Sequence, residues 1–190
     1  MIPVIDLNSS NALQLIEDAY TTVGFAVFIN AFDTKQQHVF DLWFDQMKAF
    51  FELDIDIKNS YGYIGDTNLG YTGWGGENVD PTAPKDMKES FNYNDTRMPE
   101  HMWPVEVPGF NGKWHAVPYA KNGVVCNIGD LMQRWTNDYF KSTKHRVVNS
   151  HIDQVRYSMP HFVDPAPGTI VKNLTPEPAK YAPIESLSYL

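Results

Sequence analysis

The stretch GVVCNIGD, residues 123–130, decides the fold class because it joins an apolar run of strand length to a Gly-Asp turn. Such a run, bounded by turn residues, is typical of a buried strand. Residues 113–117 alternate apolar and polar side chains just before it, and further strands are predicted near 143–148 and 154–162. The second half of the chain is therefore predicted to be mainly β, followed by a proline-rich tail that wraps a surface without forming a new element.

The first half of the chain predicts helices around one strand. Apolar residues recur at helical spacing over about 11–22, which indicates an amphipathic helix that ends at Gly24. Phe25–Ile29 is a continuous apolar run and predicts a buried strand. A second helix is predicted after Asp33. Its apolar face is rich in aromatic side chains, and such a stripe indicates core rather than a cofactor site.

Charge and composition exclude several classes of protein. The 190 residues include 15 Lys and Arg against 23 Asp and Glu, a net charge of −8, which disfavours nucleic acids and anionic membranes as partners. Cys126 is the only cysteine, so neither a disulfide nor a Cys-x-x-Cys site is expected. No apolar stretch reaches the roughly 18 residues of a membrane span, and the start lacks a signal-peptide pattern. We expect a cytoplasmic protein.

His145 is the first candidate functional residue. Side chains alternate between the two faces of a strand, so Thr143, His145 and Val147 are predicted to share the inner face. Lys144 and Arg146 are predicted to point outward. An inward-facing histidine between outward-facing cations is either a core histidine with hydrogen-bond partners or a metal ligand. The residues alone leave both interpretations open.

Arg156 and Ser158 are the second candidates, because they share one face of the strand predicted near 154–162. A guanidinium that faces the interior needs an anion of matching shape. That anion is either a carboxylate ligand, bound in a bidentate manner by Arg156 with help from the Ser158 hydroxyl, or an Asp or Glu of the protein itself.

A series of short motifs runs in a fixed order along the chain. In the first half they are Ile2–Leu7 (IPVIDL), Val23-Gly24-Phe25, Ala49–Phe51 (AFF), Gly70-Tyr71 and Asp86–Phe91 (DMKESF). In the second half they are Val124–Gln133 (VVCNIGDLMQ), Trp135-Thr136-Asn137, Lys141–Val147 (KSTKHRV) and Arg156-Tyr157-Ser158. In this order they resemble the isopenicillin N synthase-like family of iron(II)- and 2-oxoglutarate-dependent oxygenases. The resemblance covers nearly the whole chain.

The resemblance implies a mainly β fold with N-terminal helices, a double-stranded β-helix (jelly roll) of the 2-oxoglutarate oxygenase type. It implies an N-terminal α/β region at 1–110, the C-terminal part of the jelly-roll core at 111–164 and a Pro-rich tail at 165–190. It also implies Fe(II) and 2-oxoglutarate as cofactors, with two His and one carboxylate holding the metal. By position, His145 corresponds to the distal metal histidine. Arg156 and Ser158 correspond to the pair that binds the 5-carboxylate of 2-oxoglutarate.

One segment of the family pattern has no counterpart. The family carries a long helix, core strands and an H-x-D motif between two segments that are adjacent here, Gly109-Phe110 and Asn111-Gly112. We interpret this as an internal deletion, which predicts an incomplete jelly roll lacking two of three metal ligands. The literal H-x-D, His151-Ile152-Asp153, follows His145 in a predicted turn, and we do not expect it to face the barrel interior. Nor is His115 expected to substitute.

Three functional hypotheses follow from this pattern. The family-level function is that of a dioxygenase, an oxidoreductase that hydroxylates or desaturates a small organic substrate while 2-oxoglutarate is decarboxylated to succinate. The alternative is a metal-free, catalytically inactive carboxylate-binding module, and the third is a fragment without a function of its own. An incomplete barrel also predicts self-association through exposed strand edges.

Overall fold

The computed structural model describes residues 1–62, 70–77, 82, 85–92, 105–108, 114–147 and 155–189. It divides the chain into two compact units. The larger consists of Met1–Gln37 and Pro99–Leu190, and the smaller of His38–Met98. The predicted boundary between residues 110 and 111 lies outside the described residues. None of the described helices is long and apolar enough to cross a membrane.

The described elements follow one another from the N-terminus as short strands and helices. In chain order they are β1 (Val4–Asp6), α1 (Ala12–Thr22), β2 (Phe25–Ile29), α2 (Thr34–Phe51), α3 (Ile55–Asn59), β3 (Gly70–Thr72), β4 (Ser90–Asn92), β5 (Val105–Pro108), β6 (Trp114–Ala116), β7 (Val124–Asn127), α4 (Asp130–Trp135), β8 (Arg146–Val147), β9 (Ile170–Val171), β10 (Ile184–Glu185) and a 3-10 turn at Ser186–Ser188.

The core of the larger unit is a three-stranded sheet with β2 in its centre. Strand β2 is parallel to β1, to which α1 connects it, and antiparallel to β7. Both faces of β2 are buried, with Phe25, Val27 and Val125 on one side and Ala26, Phe28 and Ile5 on the other. This double burial explains the continuous apolar run, and the strand predicted at 25–29 is confirmed.

A second sheet of the larger unit places β5 between β6 and β8. Both pairings are antiparallel, with Val107 opposite His115 and Glu106 opposite Arg146. The Arg146 guanidinium lies 4.0 Å from the centre of the Trp114 ring, a cation–π contact that links β8 to β6. The strand predicted near 143–148 is observed at Arg146–Val147, and of that range residue 148 lies outside the described residues.

The strand predicted near 154–162 is not observed where the structure describes this stretch. Residues 155–164, called the exposed segment below, have neither helical nor strand structure. Val155, Phe162 and Val163 are 80%, 78% and 87% exposed. A strand requires a neighbouring strand for its backbone hydrogen bonds, and the described sheets offer none here.

The tail also differs from its prediction, because it contains a β-hairpin. Strands β9 and β10 pair in antiparallel fashion, and Val171 and Ser186 are each only 1% exposed. The buried Asn137 side chain connects the loop after α4 to this tail. Its Nδ2 donates to Pro178 O over 3.0 Å, and its Oδ1 accepts from Lys180 N over 2.9 Å.

The smaller unit contains most of α2, together with α3 and the antiparallel pair β3–β4. A largely buried ion pair holds it together, with Lys58 Nζ 2.7 Å from Glu89 Oε1. Lys58 Nζ also donates to Phe51 O over 3.1 Å, and the Tyr71 hydroxyl donates to the same Glu89 oxygen. Burial and the adjacent carboxylate raise the pKa of Tyr71 to about 12.

Candidate functional site

The segment that carries His145 is fixed against the end of α1. The last carbonyls of a helix have no partner within the helix and need one elsewhere. Here Lys141 N donates to Tyr20 O over 2.9 Å, and Thr143 Oγ1 donates to Val23 O over 2.7 Å. We call Lys141–His145 the anchored segment. Its contacts reach across 120 positions of sequence.

Gly24 makes the close approach of the anchored segment possible. Its φ is +74°, and a Cβ at this position would lie 1.9 Å from Lys141 O and 3.0 Å from Thr143 Oγ1. Only glycine adopts this conformation readily, and only a residue without a side chain leaves room for the Lys141 carbonyl. The glycine that the sequence analysis interpreted as a helix end therefore also serves as a contact surface.

His145 lies just before β8, and its side chain is exposed. The prediction that it faces the interior from a strand is wrong, because the strand begins one residue later. Its Nδ1 is 3.1 Å from Thr143 O, and its ring contacts the edge of buried Phe25, with the ring centres 5.2 Å apart. Nε2 has no hydrogen-bond partner in the described part of the chain.

The described residues do not fit an iron(II) centre by themselves. Among them, no group of three or more His, Cys, Asp or Glu side chains is arranged to hold a metal ion. His145 would supply one imidazole, whereas such an iron centre uses two His and one carboxylate. His151 and Asp153, the literal H-x-D, lie outside the described residues. His115 is half-buried in β6.

Arg156 and Ser158 lie in the exposed segment, and both side chains are exposed. Neither makes a hydrogen bond or an ion pair to another described residue. Partial burial of the guanidinium lowers the pKa of Arg156 from its ordinary value, but an arginine remains charged at neutral pH. The structure therefore gives Arg156 no protein carboxylate as a partner in the described part, and it shows no contact between Arg156 and His145.

Sequence reasoning missed the residues that hold the candidate site in place. Thr143 was assigned only to the face of a strand, although its hydroxyl binds the end of α1. Asn137 was part of a family motif, and its two bonds to the tail were not foreseen. The one available signal was that Val23-Gly24-Phe25 and Lys141–Val147 both belong to the ordered motif set, which is consistent with their packing together.

Two family models match the chain. One, described as the N-terminal region of non-haem dioxygenases in morphine synthesis, matches residues 2–110. The other, the 2OG-Fe(II) oxygenase superfamily, matches residues 98–165. Together they span the strands of the core sheet, the anchored segment and the exposed segment.

Curated relatives match over parts of the chain. A 2-oxoglutarate-Fe(II) type oxidoreductase (hxnY) of Emericella nidulans is 34% identical over 120 residues, which cover 55% of this chain and 34% of that protein. Gibberellin 2-beta-dioxygenase 5 of Oryza sativa subsp. japonica is 39% identical over 61 residues, 32% of this chain and 17% of the relative. The matched stretches thus span about a third or less of these relatives.

Solved structures with the same fold cover nearly the whole chain. A 2OG-Fe(II) oxygenase family protein from Caulobacter crescentus aligns with a TM-score of 0.78 at 20% identity, covering 99% of this chain and 96% of that one. A full-length Neurospora crassa protein, solved in complex with alpha-KG, aligns with a TM-score of 0.74 at 20% identity and covers 99% and 94%. This likeness confirms the predicted jelly-roll fold class, and the short described sheets are compatible with an incomplete form of it.

Proposed function

Because this chain belongs to the family of non-haem 2-oxoglutarate- and iron(II)-dependent oxygenases, we propose that it serves as a dioxygenase acting on a small organic substrate. The proposed reaction is hydroxylation or desaturation with O2 as the oxidant. One oxygen atom enters succinate as 2-oxoglutarate loses carbon dioxide, and the other enters the hydroxylated product or, in a desaturation, leaves as water. The observation that carries this proposal is the match of the N-terminal dioxygenase family model to residues 2–110. Iron(II) and 2-oxoglutarate are the cofactors of the family.

In this proposal the chain contributes His145, Arg156 and Ser158. His145 offers Nε2 as a metal ligand, which is supported by the hydrogen-bond distance between its other ring nitrogen and a backbone carbonyl. Arg156 and Ser158 bind the 5-carboxylate of 2-oxoglutarate, which is supported by a guanidinium without a protein carboxylate among the described residues. A guanidinium and a hydroxyl together suit a carboxylate because both donate hydrogen bonds to it.

The test is an anaerobic titration of the full chain with iron(II) in the presence of saturating 2-oxoglutarate. The readout is the visible charge-transfer band that forms when 2-oxoglutarate chelates protein-bound iron. We expect a saturable band that disappears in His145→Ala and persists in His161→Ala, which removes another exposed histidine of the same chain. A folded protein that shows no band overturns the proposal.

A metal-free carboxylate-binding module is the second candidate. It is favoured by one observation, that the described residues include no group of three or more metal-binding side chains. Calorimetric titration with 2-oxoglutarate in the presence of a metal chelator separates the two candidates. Binding that persists with the chelator and is lost in Arg156→Ala supports this module. Arg156→Lys keeps the charge but removes the planar fork, so it should retain only part of the affinity.

Two further expectations from the sequence stay predictions. The first is a cytoplasmic location. The second is self-association through exposed strand edges. Sedimentation of the full chain over a concentration series tests it, since a single monomeric species at all concentrations contradicts it.

A further inference from the structure

We propose that Val23, Gly24, Phe25 and Thr143 are positioning residues that fix the ring orientation and the tautomer of His145. In this arrangement Nδ1 carries the proton and Nε2 is the free acceptor. The functional meaning of this inference rests on the proposed function, because only there does Nε2 bind a metal. The tautomer itself is a property of the chain alone and can be measured without any metal.

The anchored segment has little freedom to move. Two hydrogen bonds tie Lys141 N and Thr143 Oγ1 to the last turn of α1. Ser142 forms an isolated parallel bridge with Ile128, whose own N donates to Gly24 O over 3.0 Å. Gly24 therefore contacts the anchored segment directly, and its carbonyl also binds Ile128, the residue that pairs with Ser142 of that segment. Since Thr143 is fixed on its side-chain oxygen, its carbonyl group has a defined direction.

The position of the proton on the imidazole follows from the contact with Thr143 O. A backbone carbonyl has no hydrogen to donate, so the 3.1 Å contact between His145 Nδ1 and Thr143 O requires Nδ1 to be the donor. A neutral imidazole carries one N–H, and Nε2 is then left with a lone pair. This is the form in which a histidine can act through Nε2 as a ligand or as a hydrogen-bond acceptor.

The contact with Phe25 limits rotation of the imidazole ring. Phe25 is only 1% exposed and belongs to the core of the larger unit. The two rings meet at an interplanar angle of 69°, close to the edge-to-face geometry that aromatic pairs prefer. An exposed imidazole is therefore held by one contact with the core and by another with a main-chain carbonyl.

The experiment is nitrogen NMR of the metal-free full chain labelled with 15N-histidine, at a pH about two units above the ordinary histidine pKa of ~6.5. The chain has six histidines, and the His145 signals are identified by their loss in His145→Gln. We expect a protonated Nδ1 and an unprotonated Nε2. In Thr143→Val, which releases the anchored segment from Val23, the ratio of this tautomer to the other should fall by up to roughly fivefold, the factor that corresponds to full loss of the hydrogen bond between Nδ1 and Thr143 O.

Matched variants separate positioning from general effects on the fold. Thr143→Ser keeps a hydroxyl and should restore the wild-type ratio. Thr22→Val also removes a hydroxyl that binds a carbonyl of α1, at Asp18, but it does not touch the anchored segment. It should leave the ratio unchanged. If Thr143→Val does not fold, Phe25→Leu takes its place, with the same expected fall in the ratio.

Two results overturn the inference. One is a wild-type His145 with its proton on Nε2, and the other is a ratio that is the same in wild type, Thr143→Val and Phe25→Leu. These outcomes are distinct from failure of the proposed function. A chain with the expected tautomer but no charge-transfer band would retain the positioning residues and lose the metal role. A charge-transfer band together with the opposite tautomer would support the metal role and overturn the assignment of the positioning residues.

Discussion

The anchored segment and the exposed segment carry the two parts of the predicted site, and they differ in how many contacts hold them to the rest of the described chain. Lys141–His145 is tied to the end of α1 by hydrogen bonds and by the close approach to Gly24. In residues 155–164, by contrast, the side chains of Arg156 and Ser158 have no polar partner among the described residues. The imidazole is thus placed by contacts with the core, whereas no polar group in the described part of the chain fixes the guanidinium.

This difference has an energetic consequence for ligand binding. A carboxylate ligand that bound Arg156 would have to fix an exposed side chain, and the lost rotamer freedom of an arginine costs up to about 1.5–2 kcal/mol. Binding at His145 carries little of this cost, because the ring is already held. The comparison therefore predicts that the two parts of the site differ in how much stability they contribute and in how strongly variants perturb the fold.

The largest effect is expected for Gly24→Ala, which should separate the anchored segment from α1. The new Cβ would lie 1.9 Å from Lys141 O, and the backbone has a positive φ. We expect a loss of at least about 4 kcal/mol in the free energy of unfolding, measured in urea. Gly168→Ala is the control, because Gly168 has a φ of +79° and no atom within 4 Å of its Cβ position. It should cost about 1–2 kcal/mol, and equal losses would contradict the close contact.

The next effect is expected for Asn137→Ala, which removes both side-chain bonds to the tail. Asn122→Ala is a close match, since Asn122 and Asn137 have φ values of +55° and +53° and Asn122 makes no side-chain hydrogen bond among the described residues. The difference between the two variants should be about 2 kcal/mol, the worth of two hydrogen bonds to a buried amide. A difference near zero would mean that the tail is held by other contacts.

A smaller effect separates two arginines. Arg134 in α4 donates to Ala182 O over 2.9 Å and lies against the rings of Tyr181 and Tyr189, so Arg134→Ala should cost about 1–2 kcal/mol in the free energy of unfolding. Arg156→Ala should change it by less than about 0.5 kcal/mol. If Arg156→Ala is as destabilising as Arg134→Ala, the Arg156 side chain stabilises the fold as much as Arg134 does, and the difference between the two segments is wrong.

The smallest effect is a dependence on pH in the loop beside the anchored segment. Hydrogen bonding from Tyr181 and the nearby ammonium groups of Lys180 and Lys141 keep the pKa of Asp138 below its ordinary value. A carboxylate of this kind stabilises the fold above the ordinary value near 3.9, and this contribution is lost as the pH falls through the lower folded-state pKa. The stability advantage of wild type over Asp138→Asn should therefore shrink below about pH 4. A stability advantage that stays constant as the pH falls through this range would contradict the role of the Asp138 carboxylate.

The local elements of the larger unit could be predicted from sequence because burial leaves a clear periodic signal. The helix predicted over about 11–22 is observed at Ala12–Thr22, and the strand at 25–29 is observed with the same limits. The pairing of β2 with β7 could not be predicted, because an apolar run indicates a buried strand but contains no information about which distant strand pairs with it. For the same reason the exposed segment was predicted to be a strand: its composition suits one, but strand formation depends on a neighbour.

The candidate site was predictable only as a set of residue types. The motif order selected His145, Arg156 and Ser158, but burial and orientation depend on contacts that lie far apart in sequence. The hydrogen bond between the Thr143 hydroxyl and the Val23 carbonyl is an example, because nothing in either residue type predicts that the two lie close together. Gly24 carried a signal for a helix end, yet its role as a contact surface needed the three-dimensional arrangement.

The pairing of β2 with β7 also has a consequence for how the chain folds. Phe25 lies opposite Asn127 in this sheet, so β2 cannot pair with β7 until about a hundred further residues have been synthesised. At a synthesis rate of about 5–20 residues per second, an edge of β2 stays open on the ribosome for roughly 5–20 seconds. Contacts of such high order slow folding, and an apolar strand with an open edge invites pairing with other chains. We therefore expect this protein to be most prone to such pairing, and to depend most on chaperones, while its N-terminal half has left the ribosome and β7 has not yet been made.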